Sequence, residues 1–304
     1  MPFKASFIYL LVVICLNSQA QNLEINGVLR ETGTTNGIPY ATIIDITTNK
    51  YGTTSNVNGT FSLVLPKDSE NNLIYISSLG FKDTTLVISE LLKHDIIYLQ
   101  PKSYDLPDFI VSSTKSKEIK IGDSQASIAQ QDGKTKGYQA SSGFSWGAYF
   151  KTQNKDTNAL LESIDIYIGN TGFPEAPLML RFFEFKGDFE FFRSQPRSTF
   201  NDLHNEPIII NAEKSGWLHT NISAFNIRIP DGGLYCLFTP LDKGSKYIYE
   251  TEQGLKYGAS IGIYAEMNSG KNIYPVFQDK DKLTVVKRTN APSPAVSIVF
   301  IREN

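Results

Sequence analysis

The stretch "YGTTSNVNGTFSLVLP", residues 51–66, decides the fold. A run rich in Thr, Ser and Asn ends in Asn58-Gly59, a pair that favours tight turns because both residues tolerate positive φ. A strand pattern follows. Phe61, Leu63 and Leu65 fall on one face, and Thr60, Ser62 and Val64 on the other, the period-2 signature of a half-buried strand. Asn56 stands where an Asx side chain caps its own turn backbone. Asn56, Asn58 and Gly59 are therefore expected to form a structural hairpin, and a ligand role for Asn56 is the lesser alternative.

The same alternation recurs outward from this stretch. "LLESIDIYIG" turns Ile164, Ile166 and Ile168 to one side, "FNIRIP" turns Phe225, Ile227 and Ile229, and "AVSIVFI" turns Val296, Ile298 and Phe300. "NLIYISSLGF" is apolar on both faces at Leu73 to Ile76, as a central strand should be. Only "ISELLKH", residues 88–94, has a helical pattern, and it is barely two turns long. Residues 122–141 are polar and read as a long loop. The expected class is all-β.

The first twenty residues form a separate unit. Lys4, the apolar run "FIYLLVVICL" and the small-residue site ending at Ala20 make a secretory signal peptide. Ile14 before Cys15 disfavours a lipoprotein site. No other apolar run reaches membrane-spanning length. Export would place the mature chain in the periplasm, the cell envelope or outside the cell. Removing Lys4 takes one from the 29 basic residues, against 31 acidic ones, so the net charge moves from −2 to about −3. That balance argues against a nucleic-acid partner, which would want a basic patch. Of the two cysteines only Cys236 remains, so no intramolecular disulfide can form. It lies in the apolar "GLYCLFTP" and reads as a small buried hydrophobe.

The opening stretch now resembles a known family. Gly37, Pro39, Ala41 and Ile43, then Gly52, Thr53, Ser55, Asn56, Gly59, Phe61 and Leu63, and further on Ser77, Gly80 and Phe81 are similar to the carboxypeptidase regulatory-like domain of exported Bacteroidetes-type proteins. The resemblance implies a transthyretin-like, seven-stranded Greek-key sandwich over residues 22–101, accessory rather than peptidase in role. Asn56 stands where the family often has Asp. Residues 102–117 read as a linker. Residues 118–304 resemble the jelly-roll-like domain that follows this module in some such proteins, through Gly216-Trp217, Ile222-Ser223, Phe225 and Ile227.

Catalytic signatures are sparse. His94, His204 and His219 begin neither H-E-x-x-H nor H-x-x-E, so no zinc peptidase, other metal site or cofactor is expected. G-x-S-x-G occurs twice, around Ser145 and Ser260, but strands rather than helices follow both serines, so neither is a nucleophile elbow. "DKDK", residues 279–282, reads as a solvated turn. No catalytic residue is assigned. The Phe-rich stretch "LRFFEFKGDFEFFRSQ" contains Phe182, Phe183, Phe185, Phe189, Phe191 and Phe192 on what read as two strands joined at "KGD". Core packing is the favoured reading for it and for Trp146 and Trp217. The alternative is a ligand-stacking face at Phe183, Phe185 and Trp217. The sequence thus points to an exported, non-enzymatic binding protein of unknown ligand. A carbohydrate-binding protein acting through the jelly-roll domain is one alternative. A cell-envelope accessory of outer-membrane transport is another, since "IIYLQPKSYDLPDFIVSS" resembles the join between this module and outer-membrane receptors. A glycan and a cell-envelope protein are the partners considered.

Overall fold

The computed structural model describes residues 22–102, 116–252 and 254–303. The signal-peptide reading and nearly all of the linker reading lie outside the described residues. The first module is built from β1 (Asn22–Glu31), β2 (Thr42–Asp45), β3 (Gly52–Thr54), β4 (Thr60–Pro66), β5 (Leu73–Ser77), β6 (Thr84–Val87) and β7 (Ile96–Leu99). These seven strands form two sheets, ordered β4-β1-β7 and β3-β2-β5-β6, the Greek-key, transthyretin-like sandwich. Among the described residues the one α-helical turn is α1 (Ile88–Leu91). Between the sheets lie Phe61, Leu63 and Leu65 with Ile25, Leu29, Ile43, Ile74 and Ile76. Alternation along β4 is complete, with Thr60, Ser62 and Val64 exposed. Each large apolar side chain buried this way contributes about 1.5–3 kcal/mol.

The Asn56–Gly59 turn forms, but not as the hairpin the sequence predicts. β3 pairs with β2 and β4 pairs with β1, so the turn carries the chain from one sheet to the other. Asn56 caps it. Its Oδ1 accepts from Asn58 N at 2.9 Å and Thr60 N at 3.1 Å, and its backbone N–H reaches Thr60 O at 2.8 Å.

The larger sandwich follows in chain order: β8 (Ser116–Ile121), β9 (Gln130–Gln131), β10 (Lys134–Thr135), β11 (Gly137–Ala140), β12 (Trp146–Phe150), β13 (Leu160–Gly172), β14 (Leu178–Phe185), β15 (Gln195–Pro196), β16 (Phe200–Asp202), β17 (Ile208–Ile210), β18 (Gly216–Asn221), β19 (Leu234–Pro240), β20 (Ile248–Thr251), β21 (Gly254–Gly262), β22 (Ile273–Asp279), β23 (Lys282–Val285) and β24 (Val296–Glu303). One sheet runs β11-β21-β13-β24-β8, with β18 and β20 alongside. The other runs β15-β23-β22-β12-β19-β14-β16, with β17 alongside. This is a jelly-roll-like sandwich. Ile164, Ile166, Ile168, Ile298 and Phe300 from the first sheet meet Ala148, Phe150, Phe182, Cys236 and Phe238 from the second.

Three expectations of local structure change here. "FNIRIP" buries Ile227 and Ile229 as expected, but only its second half pairs: Asn226, at a left-handed φ of 49°, closes a 3-10 turn over Ser223–Phe225, after which Ile227 O accepts from Leu161 N and Ile229 N donates to Ala159 O, both at 2.9 Å. The supposed loop 122–141 contains the β9–β10 hairpin and β11, which pairs with β21. The "KGD" segment does not join two strands. β14 ends at Phe185, and the chain folds back as a flap whose Phe189 and Phe191 pack on Tyr149 and Tyr274. Phe192, at φ 63°, is left exposed. Cys236 is fully buried, and burial pushes its thiol well above the usual range. The native protein is therefore expected to resist a thiol-modifying reagent and to react only once unfolded, as mass spectrometry with and without urea would show.

Candidate functional site

β5 buries both faces, and the second face explains how the two sandwiches meet. Ile74 and Ile76 enter the module core, while Tyr75 and Ser77 point the other way and are equally buried. What covers them is the outer face of the larger sandwich. Arg181 on β14 donates from Nη1 to Ser77 Oγ at 3.2 Å. Its Nε and Nη2 embrace Asp202 on β16 at 3.0–3.2 Å. Arg197 donates from Nη2 to the same Asp202 Oδ1 at 3.2 Å and lies 3.8 Å over the Phe183 ring. Lys102 Nζ reaches Phe200 O at 3.3 Å, and burial holds its amine below the usual range. Burial, aided by Asp83, pushes the Tyr75 phenol up. Arg181, Arg197, Lys102, the buried Asp202 carboxylate and the two guanidiniums' contacts with the Phe183 ring thus clamp the seam.

His204 sits beside this clamp with both ring nitrogens occupied. Phe182 N donates to Nε2 at 3.1 Å, and Nδ1 donates to Glu206 O at 2.7 Å. That arrangement requires the neutral ring, since a proton on Nε2 would evict the backbone donor. Burial lowers its pKa, with Arg181 adding to the effect and the Glu206 carbonyl and Asp202 opposing it. Below about pH 6.5 the unfolded chain binds a proton that the folded chain refuses. Stability is therefore whole above that pH and falls as pH drops toward the folded-state pKa, by up to about 1.4 kcal/mol per pH unit. Urea unfolding between pH 5 and 7 should show this slope, and His204→Gln should flatten it.

Beside the clamp the sandwiches part into a groove of about 1370 Å³. One wall is the outer face of the β4-β1-β7 sheet, with Asn26, Thr60, Ser62 and Val64. The other is the β20–β21 hairpin, with Ile248, Leu255 and Lys256. Tyr51, Thr53, Ser141 and Ser142 line it between them. Asp242 fixes this base across the seam. Its Oδ2 accepts from Thr53 Oγ1 at 3.0 Å and Ser142 Oγ at 2.6 Å, and its N–H donates to Thr54 Oγ1 at 2.7 Å. The "DKDK" turn also docks on the module rather than lying free, since Asn49 pairs with Asp279 Oδ1 at 2.9 Å and Lys280 N at 3.2 Å. The lining exposes more apolar than polar surface: hydroxyls and amides alternate with Tyr51, Val64, Ile248 and Leu255, and Lys50, Lys256 and Asp95 add charge of both signs.

The residues singled out for ligand stacking are not brought together. Phe183 is fully buried under Arg197 and has no face to offer a ligand. Phe185 is half-buried against Phe200, 5.0 Å away. Trp217 lies on β18, in the opposite sheet, also half-buried. Trp146 is core. Of the two G-x-S-x-G serines, Ser145 Oγ pairs with Thr239 Oγ1 at 2.6 Å and Ser260 Oγ donates to Thr171 O at 2.6 Å. Among the described residues no three His, Cys, Asp or Glu cluster as metal ligands would, and no helix is long and apolar enough to cross a membrane.

No protein-family model matches the chain, and neither does any curated protein. Among solved structures it is similar to the infectious bursal virus derived T=1 particle, at 10% identity and a TM-score of 0.24, over 92% of this chain and 61% of that one. It is also similar to the VP2 subviral particle of infectious bursal disease virus, at 11% identity and a TM-score of 0.21, over 92% and 63% of the two chains. The chain spans just over three fifths of the length of these viral proteins.

Proposed function

We propose that this is an exported, non-enzymatic binding protein, in which a carboxypeptidase regulatory-like module is locked onto a jelly-roll-like sandwich and the groove at their seam receives the ligand. The groove carries this reading. Both sandwiches line it, and the Asp242 contacts fix its base before any ligand arrives, which lowers the ordering cost of binding. Its hydroxyls and amides, set among a larger apolar surface and charges of both signs, suit an extended ligand with polar groups and apolar faces better than one carrying a single strong charge.

The test combines a ligand screen with a blocked groove. Ser62→Arg places a long cation in the groove from an exposed strand position, where a substitution changes stability by only about 0.5 kcal/mol. Thermal-shift titration with a library of soluble oligosaccharides and short peptides should find compounds that stabilise the wild type and not the variant. Turnover of peptide, ester or glycan substrates by the purified protein would defeat the non-enzymatic reading. Export is checked separately, by N-terminal sequencing of the mature protein, which should begin at Gln21.

A further inference from the structure

We infer that the outer face of the β13–β18 pair carries a site, independent of the seam groove, that takes one pyranose ring of a neutral glycan between Trp217 and His219. The register places Tyr167 opposite Trp217 and Asp165 opposite His219. Period-2 alternation puts Trp217, His219 and Asn221 on the same face of β18. Trp217 and His219 are therefore roughly 7 Å apart along the strand, about the span of one sugar ring.

The histidine is held for use. Its side chain is 67% exposed, while the Asp165 carboxylate behind it is only 11% exposed. A carboxylate on a sheet face costs desolvation unless every lone pair is occupied. Here Asp165 Oδ1 takes His219 Nδ1 at 2.7 Å, and Oδ2 takes Ser297 Oγ at 3.0 Å with Lys120 Nζ 4.0 Å away. A carboxylate only accepts, so Nδ1 must carry the proton, and in the neutral ring Nε2 is left as an acceptor. The same hydrogen bond that satisfies Asp165 fixes the tautomer of an exposed imidazole, and a fixed, exposed acceptor is what an oriented recognition group needs.

Its neighbour supplies the complementary surface. Trp217 is braced edge-on by Tyr167 at 5.5 Å and 85°, with Tyr264 6.1 Å beyond. A pyranose has an apolar C–H face and a rim of hydroxyls. The indole suits the first and Nε2 accepts from the second. Asn221 adds amide donors, since its Oδ1 is already taken by Ser223. A metal ion would find only His219 and Asp165 here, too few ligands to hold it.

Affinity electrophoresis of the full mature chain through gels containing xylan, laminarin, galactomannan or pullulan tests this directly. At least one polymer should retard the wild type and shift its tryptophan emission, a change assigned to Trp217 because Trp146, 5% exposed, lies out of a ligand's reach. Trp217→Ala should weaken that binding about tenfold or more, as loss of an aromatic anchor does. His219→Ala, at an exposed position, should weaken it severalfold, and Ser62→Arg should leave it unchanged. If circular dichroism shows that Trp217→Ala misfolds, His219→Ala decides alone. The inference fails if none of the four polymers retards the wild type, or if the deciding variants bind as the wild type does. It fails equally if Ser62→Arg abolishes the retardation, which would move the glycan into the seam groove and leave the proposed function standing.

Discussion

Asp202→Asn is expected to destabilise the folded chain by about 3–5 kcal/mol, the range for breaking a buried ion pair by removing one partner. Arg181 and Arg197 both converge on the Asp202 carboxylate. Those guanidiniums are 4% and 6% exposed, so neither can turn to water when the charge is gone. Asparagine keeps the shape and one carbonyl acceptor, and it supplies an amide that faces donors with donors. The effect should not stay within the larger sandwich. Arg181 also holds Ser77, so loosening it weakens the contact that fixes the first module. Urea unfolding should show a lower midpoint, and limited proteolysis should cut more readily at the connection between the modules. Ser77→Ala is the milder comparison. It removes one cross-seam bond and leaves both charges paired, with an expected cost of about 1–3 kcal/mol. A change below about 1 kcal/mol for Asp202→Asn would mean that the two arginines find other partners, and the clamp would lose its central role.

The clamp also marks where sequence reading runs out. Strand β4 was legible because one face meets a core and the other meets water, so period 2 is written into Phe61, Leu63 and Leu65. The double-sided burial of β5 was equally legible, but not what covers its second face. Arg181 lies 104 positions from Ser77, and no local pattern links them. Asp165 and His219 are 54 positions apart and meet only through strand register. The groove was hidden for a different reason. It is lined by Ser, Thr and Asn that belong to turns and strand faces between Asn26 and Tyr257, and each of these is unremarkable alone. The errors have local causes. "FNIRIP" has a strand's alternation throughout, yet one residue at Asn226 in a left-handed conformation keeps its first half in a turn and leaves only residues 227–229 to pair. The Phe-rich stretch looked like a hairpin because alternation cannot separate a second strand from a flap that covers the first.

Gly37→Ala should destabilise the first module by at least about 2–3 kcal/mol, the cost of forcing atoms into filled space. A β-carbon at Gly37 would lie 2.1 Å from Asn58 O and 2.5 Å from Asn58 C, both backbone atoms of the Asn56–Gly59 turn. On the other side of that contact, a β-carbon at Gly59 would lie 2.5 Å from Leu29 O and 2.7 Å from Ile38 N. The two turns therefore nest, backbone on backbone, and Ser55 ties them by accepting from Ala41 N at 2.9 Å and donating to Ile38 O at 2.8 Å. Gly33 separates the causes. It has the same φ as Gly59, +81°, with nothing within 4 Å of its missing β-carbon. Gly33→Ala should cost only the left-handed conformation, about 1 kcal/mol. Gly59→Ala should cost that amount and the clash together. The expected order of urea midpoints is wild type, Gly33→Ala, Gly37→Ala, Gly59→Ala. If Gly37→Ala unfolded with Gly33→Ala, the turns would have room to separate, and the stretch at residues 51–66 would owe its conformation to its own hydrogen bonds rather than to the chain that crosses it.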